Sequence, residues 1–221
     1  MVANPFMPEV TRALRRPTLV AVALLMAFIA ALPQHYYFLP SKARPWGLAL
    51  VAVLAVISAL SRASSATRRA ARLATGSLVV LLTATLLGAL GMVIVRLYVE
   101  GVPVQGAQVL STTAALWATN IVVFALWYWL VDRGGPERRA RGEPRPIDLL
   151  FPQNTAREIF PGDWMPRFAD YLFVAFVTST AFSPADTLPV TPRAKLLMMA
   201  QAVVSLATLV VIVGRAINML G

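Results

Sequence analysis

The sequence predicts an all-α membrane protein with about six transmembrane helices, and three observations carry that prediction. Of 221 residues, 58% are hydrophobic and only 14% charged. Soluble domains are about half apolar and about a quarter charged, so the excess must face something other than water. The apolar residues gather into runs near the length that crosses a bilayer. The 20 basic residues outnumber 10 acidic ones, 18 of them being Arg, and they lie between the runs rather than on one face. That dispersal argues against a nucleic-acid partner, whose reader clusters its charge.

Six segments approach the roughly 20 residues a spanning helix needs. Thr18–Leu32 follows Arg15, Arg16 and Pro17, and proline suits a first helical turn. The same basic-then-apolar order also fits a secretory signal peptide, but five further runs favour an uncleaved helix. Trp46–Leu60, Ser77–Tyr98 and Val109–Val131 follow, then the shorter Phe168–Ser183, stopped by Pro184, and finally Leu196–Leu220. The chain divides into a four-helix membrane region (1–131), a polar linker (132–167) and a C-terminal helix pair (168–221). Five spans plus a re-entrant helix over 168–183 is the alternative to six spans.

Orientation follows from the basic residues in the loops. Arg12, Arg15 and Arg16 precede the first run, and Arg62, Arg68, Arg69 and Arg72 lie between the second and third. Arg133, Arg138, Arg139, Arg141, Arg145, Arg157 and Arg167 lie in the long linker. The alternate loops hold only Lys42, Arg44, Arg193 and Lys195. Six crossings with both termini in the cytoplasm satisfy this bias. Tyr36, Tyr37, Trp46, Tyr98 and Trp127–Tyr128–Trp129 read as an interfacial aromatic belt. The linker, rich in Pro and Gly and carrying both charges, reads as a solvated cytoplasmic loop, with a docking surface for a partner or anionic lipid as the alternative. Arg-rich, Lys-poor, Ala-rich usage suggests a high-GC bacterial genome and hence the bacterial plasma (inner) membrane.

Catalytic chemistry has little to stand on. There is no Cys and only one His, His35, beside aromatics in an outer loop. No phosphate-binding G-x-x-x-x-G-K-[ST], G-x-S-x-G elbow or H-E-x-x-H occurs. The expectation is no enzyme, no catalytic residue, no metal and no cofactor. Intramembrane polar groups are more informative, because each must face protein or water. Thr112, Thr113, Thr119 and Asn120 lie in the fourth run, and Gln201, Ser205, Thr208 and Arg215 in the last. Hydrogen bonding between helices accounts for the neutral ones, and snorkelling to the headgroups for Arg215 and Arg96.

The densest feature is Asp170–Lys195. An acid near a helix start, hydroxyls at Thr178, Ser179 and Thr180, then Pro184, Asp186, Thr187, Pro189 and Pro192 lead into the last helix. Read without a gap from Val177, through Thr178, Thr180, Ser183, Pro184 and Asp186 to Pro189, Val190, Thr191 and Lys195, the stretch resembles the pore module of tetrameric potassium channels. The resemblance implies a pore helix, a filter and an inner helix assembled as a homo-oligomer, with Thr178, Thr180, Ser183, Pro184 and Asp186 along the solute path. The filter is degenerate. Ser183 and Ala185 stand where that family carries glycines, and Pro184 fixes its own φ, so potassium selectivity is not expected. The same stretch also resembles a family of uncharacterised bacterial integral membrane proteins, in which a D-x-L-(Y/F)-x-A-F run leads to a basic pair and a final helix. Two other roles are carried alongside the channel-like one: a non-conducting membrane scaffold or accessory protein, and a small-solute transporter.

Overall fold

The computed structural model describes residues 65–99, 106–140, 142–156, 158–159, 164–180 and 186–220. The first two apolar runs, His35, Ser183 and Pro184 lie outside them. About four-fifths of the described residues are helical, in keeping with the long apolar runs.

Helix α1, Ser65–Ile94, begins well before the apolar run, so part of the expected Arg-rich loop is helical. Its end widens into one π turn, Val95–Val99. Helix α2 covers Gly106–Val131. A single 3₁₀ turn, Asp132–Gly134, then reverses the chain. Three successive residues there have positive φ: Arg133 at 50°, Gly134 at 73° and Gly135 at 99°. Glycine adopts this region freely, while an L-residue spends roughly 1–2 kcal/mol on it. At Gly135 a Cβ would also meet the Leu130 carbonyl at 3.1 Å.

Two short helices, α3 (Pro136–Ala140) and α4 (Pro152–Thr155), flank strand β1, Leu149–Leu150. Helix α5 spans Phe168–Thr180. Asp170 caps its start, where the Arg167 N–H donates to Oδ2 at 2.6 Å, the reach-back half of a capping box. Strand β2, Leu188–Pro189, pairs antiparallel with β1, and helix α6 runs over Pro192–Leu220.

Three of these helices are long and apolar enough to cross a membrane: Arg72–Val99, Val109–Gly134 and Pro192–Gly214. The burial of α6 is inverted relative to a water-soluble bundle, whereas α1 and α2 bury aliphatic residues such as Leu82, Leu86, Leu116 and Leu126. On α6 the buried positions include Gln201, Ser205 and Thr208, whereas Leu196, Met199, Val203, Leu206, Val210 and Val213 are exposed. A helix in water hides its aliphatic stripe, and each such side chain buried is worth about 1.5–3 kcal/mol. The fold is thus an all-α architecture compatible with a membrane protein.

Helix direction follows from paired contacts. Trp129 at the end of α2 meets Phe168 at the start of α5 at 6.4 Å between ring centroids, and Asn120 in mid-α2 meets Ser179 near the end of α5. The α2 and α5 helices are therefore antiparallel. On α6, Ala194 packs in the cluster around Tyr171, Gln201 bonds Ala175 and Ser179, and Ser205 bonds Ser179. The α5 and α6 helices therefore run in the same direction. Helices that cross a membrane in succession oppose each other, whereas α5 and α6 are parallel. With ~1.5 Å rise per residue, α5 reaches only ~20 Å, against ~30 Å of hydrocarbon.

Two further expectations change. Tyr128 and Trp129, expected as interfacial anchors, are buried in the bundle. The stretch 132–167 is not simply a solvated loop: Asp148, Leu149 and Phe151 are buried, the last against Trp164 and Tyr171.

Candidate functional site

Two polar clusters organise the α5–α6 module, one at the inner end of α5 and one where α5 and α6 begin.

The inner cluster is a knot around Ser179. Gln201 Nε2 donates to the Ala175 carbonyl at 2.7 Å and to Ser179 Oγ at 2.8 Å. Tyr128 donates its hydroxyl to Gln201 Oε1 at 2.5 Å. Ser205 Oγ donates to the Ser179 carbonyl at 2.5 Å, and Trp117 Nε1 approaches the same carbonyl at 3.5 Å. Asn120 Nδ2 donates to Ser179 Oγ at 3.3 Å. The last carbonyls of a helix have no partner within it, and here side chains from α2 and α6 supply one. The side-chain oxygen of Asn120 is buried and has no hydrogen-bond partner.

The second cluster is an ionic clasp. Asp132, the first residue of the turn after α2, accepts the Tyr171 hydroxyl at 2.7 Å on Oδ2 and the backbone N–H groups of Asp148 and Leu149 at 3.1 and 3.3 Å on Oδ1. Arg139 donates to the Trp129 and Asp132 carbonyls at 2.9 and 2.6 Å. Its guanidinium lies 5.2 Å from the centre of the Tyr171 ring, within cation–π range. Asp148 accepts four hydrogen bonds: Arg193 Nε and Nη2 at 2.5 and 2.7 Å, Thr191 Oγ1 at 2.6 Å and the Arg133 N–H at 2.9 Å. Burial pushes its carboxyl up, but the bonds from Arg193, Thr191 and Arg133 outweigh that and hold it below the usual carboxylate range. Burial likewise draws the Arg139 guanidinium down, opposed by Tyr171 and Asp132.

The clasp gathers the end of α2, β1, the start of α5 and the start of α6 at one end of the bundle. The knot lies in mid-bundle, because Asn120 and Trp117 are near the middle of α2. Among the described residues no three His, Cys, Asp or Glu side chains converge as metal ligands.

The path residues suggested by the resemblance fall as follows. Thr178 donates to the Val174 carbonyl at 2.7 Å and Thr180 to the Val177 carbonyl at 3.0 Å, each within its own helix. Asp186 is exposed in a bend at the clasp end. Asn120, Gln201 and Ser205, flagged as intramembrane polar groups, do bond between helices. Tyr128 and the whole clasp were missed. The Asp148–Arg193 pair is separated by 45 residues, so no local spacing reports it. The one available signal was Asp148 between Ile147 and Leu149–Leu150, an acid inside an apolar run.

No family model, curated protein or solved structure matches this chain.

Proposed function

We propose that this protein is a multi-pass plasma-membrane protein in which α5 is a re-entrant half-helix, and that the α5–α6 module, assembled as a homo-oligomer, forms a solute path without potassium selectivity. One observation carries the reading: α5 and α6 run in the same direction, with α5 entering from the clasp end and stopping level with the middle of α2. Backbone that leaves a helix at that depth is tolerated only inside protein or beside water. The inverted burial of α6 supplies a face for lipid or for a second copy.

The re-entrant geometry also sharpens the charge bias. Arg193 and Lys195 join Arg133 and Arg139 at the clasp end, which the positive-inside rule assigns to the cytoplasm. Anionic lipid headgroups are the partners expected there. The C-terminal end of α6 then faces the opposite side, rather than lying inside with the N-terminus. Entry from the cytoplasmic side is the reverse of the potassium-channel arrangement.

A non-conducting scaffold is the second reading, favoured by the Thr178 and Thr180 hydroxyls, which turn back onto their own helix instead of facing a path. Flux into proteoliposomes separates the two. The path reading expects cation flux that Asp186→Asn lowers, since the carboxylate at the mouth draws cations. Folded oligomer that passes no cation supports the scaffold.

A further inference from the structure

The knot at the inner end of α5 contains an imbalance that the helix packing does not resolve. The Asn120 side-chain oxygen, on a residue with 0% exposure, has no hydrogen-bond partner, although five side chains meet around it in the knot. An unpaired amide oxygen in a low-dielectric interior is costly, which is why such atoms call for an explanation. The two longest hydrogen bonds of the knot, 3.3 Å from Asn120 Nδ2 and 3.5 Å from Trp117 Nε1, both end on Ser179.

Its surroundings are rich in acceptors. The C-terminal end of α5 carries the negative end of the helix dipole. The Ala175 and Ser179 carbonyls of α5 lie in the same knot. Such a place repels anions and receives a donor.

We propose that the inner end of α5 is a binding site for a small hydrogen-bond donor, a water molecule or an ammonium-type monovalent cation, received by Asn120 Oδ1. This rests on the reading of α5 as a half-helix and names the class of solute its tip would admit. Both occupants present N–H or O–H groups, and only the second brings a charge.

The test uses the full chain purified in detergent, unfolded by heat in ammonium chloride and in sodium chloride at equal ionic strength, together with a density map fine enough to show ordered water. A cation occupant raises the unfolding temperature by several degrees in ammonium only, an effect lost in Asn120→Leu and kept in Asn120→Asp. Should Asn120→Leu fail to fold, Asn120→Asp carries the test, because its carboxylate strengthens a cation's hold. A water occupant gives no ammonium-specific shift but leaves density about 2.7–3.2 Å from Asn120 Oδ1. Absence of both the shift and the density overturns the site. Sidedness of labelling at Asp186→Cys tests the half-helix separately, so failure of the site and failure of the reading beneath it are distinguishable.

Discussion

Replacing Asp148 with Asn tests the clasp most severely, because every group around that carboxylate is a donor. Its two oxygens accept four hydrogen bonds, two from the Arg193 guanidinium. An amide keeps one acceptor oxygen and sets an NH₂ group against the remaining donors. Breaking a buried ion pair by removing one partner costs about 3–5 kcal/mol. Asp148 qualifies as buried, but the Arg193 side chain is 55% exposed and water can rehydrate it. The lower end, about 3 kcal/mol, is therefore the expected loss. For a chain of about 150–250 residues each kcal/mol moves Tm by about 2–4 °C, so the midpoint should fall by about 6–12 °C. The assay is thermal unfolding in detergent micelles followed by tryptophan fluorescence. Trp129 and Trp164 lie in the cluster that also holds Leu149, so the signal reports the right region. A shift under about 2 °C would refute the claim that this carboxylate holds the clasp together.

The remaining expectations follow the same contacts. Asp148 is held below its ordinary pKa, so the folded state binds its proton less readily than the unfolded one, and its contribution is fully present above about pH 4, the ordinary carboxylate value. That contribution disappears as the pH falls through the lowered value, so the Tm difference between wild type and Asp148→Asn should shrink on acidification. Tyr128→Phe strands the buried Gln201 Oε1 and should cost about 1–3 kcal/mol with no change in oligomeric state, read by the same unfolding assay. Gly214→Ala places a Cβ 2.9 Å from the Tyr98 hydroxyl, yet Tyr98 is exposed and free to swing away. The gain in helix propensity of about 1 kcal/mol should leave stability unchanged or slightly raised.

What the sequence reveals here is decided by range. Length and hydropathy act locally, so α2 and α6 are readable as apolar runs, and the proline-bounded stretch after Arg167 announces a short helix. The direction of α5 is not local. A run of 13 residues is compatible with a tilted span or a half-helix, and only the pairing of Leu149 with Pro189 and of Leu150 with Leu188 brings its exit back to its entry. Charge counting could not see this, since Arg193 and Lys195 count for either side until their partner is known. The aromatic triplet misled for the same reason: Tyr128 reads as an interfacial anchor until Gln201, 73 residues away, accepts its hydroxyl. Asn120 and Gln201 were legible as groups needing partners, because polar amides are costly in hydrocarbon, but not whom they meet.

The account turns on whether both ends of α5 open on one side of the membrane, and the chain is suited to asking this because it contains no cysteine. Single cysteines at Arg145, Asp186 and Val99, all exposed positions, are to be labelled in sealed vesicles with an impermeant thiol reagent. The re-entrant arrangement expects Arg145→Cys and Asp186→Cys to react from one side and Val99→Cys from the other. Reaction of Asp186→Cys together with Val99→Cys would mean that α5 crosses the bilayer, contradicting the arrangement on which the proposed path depends.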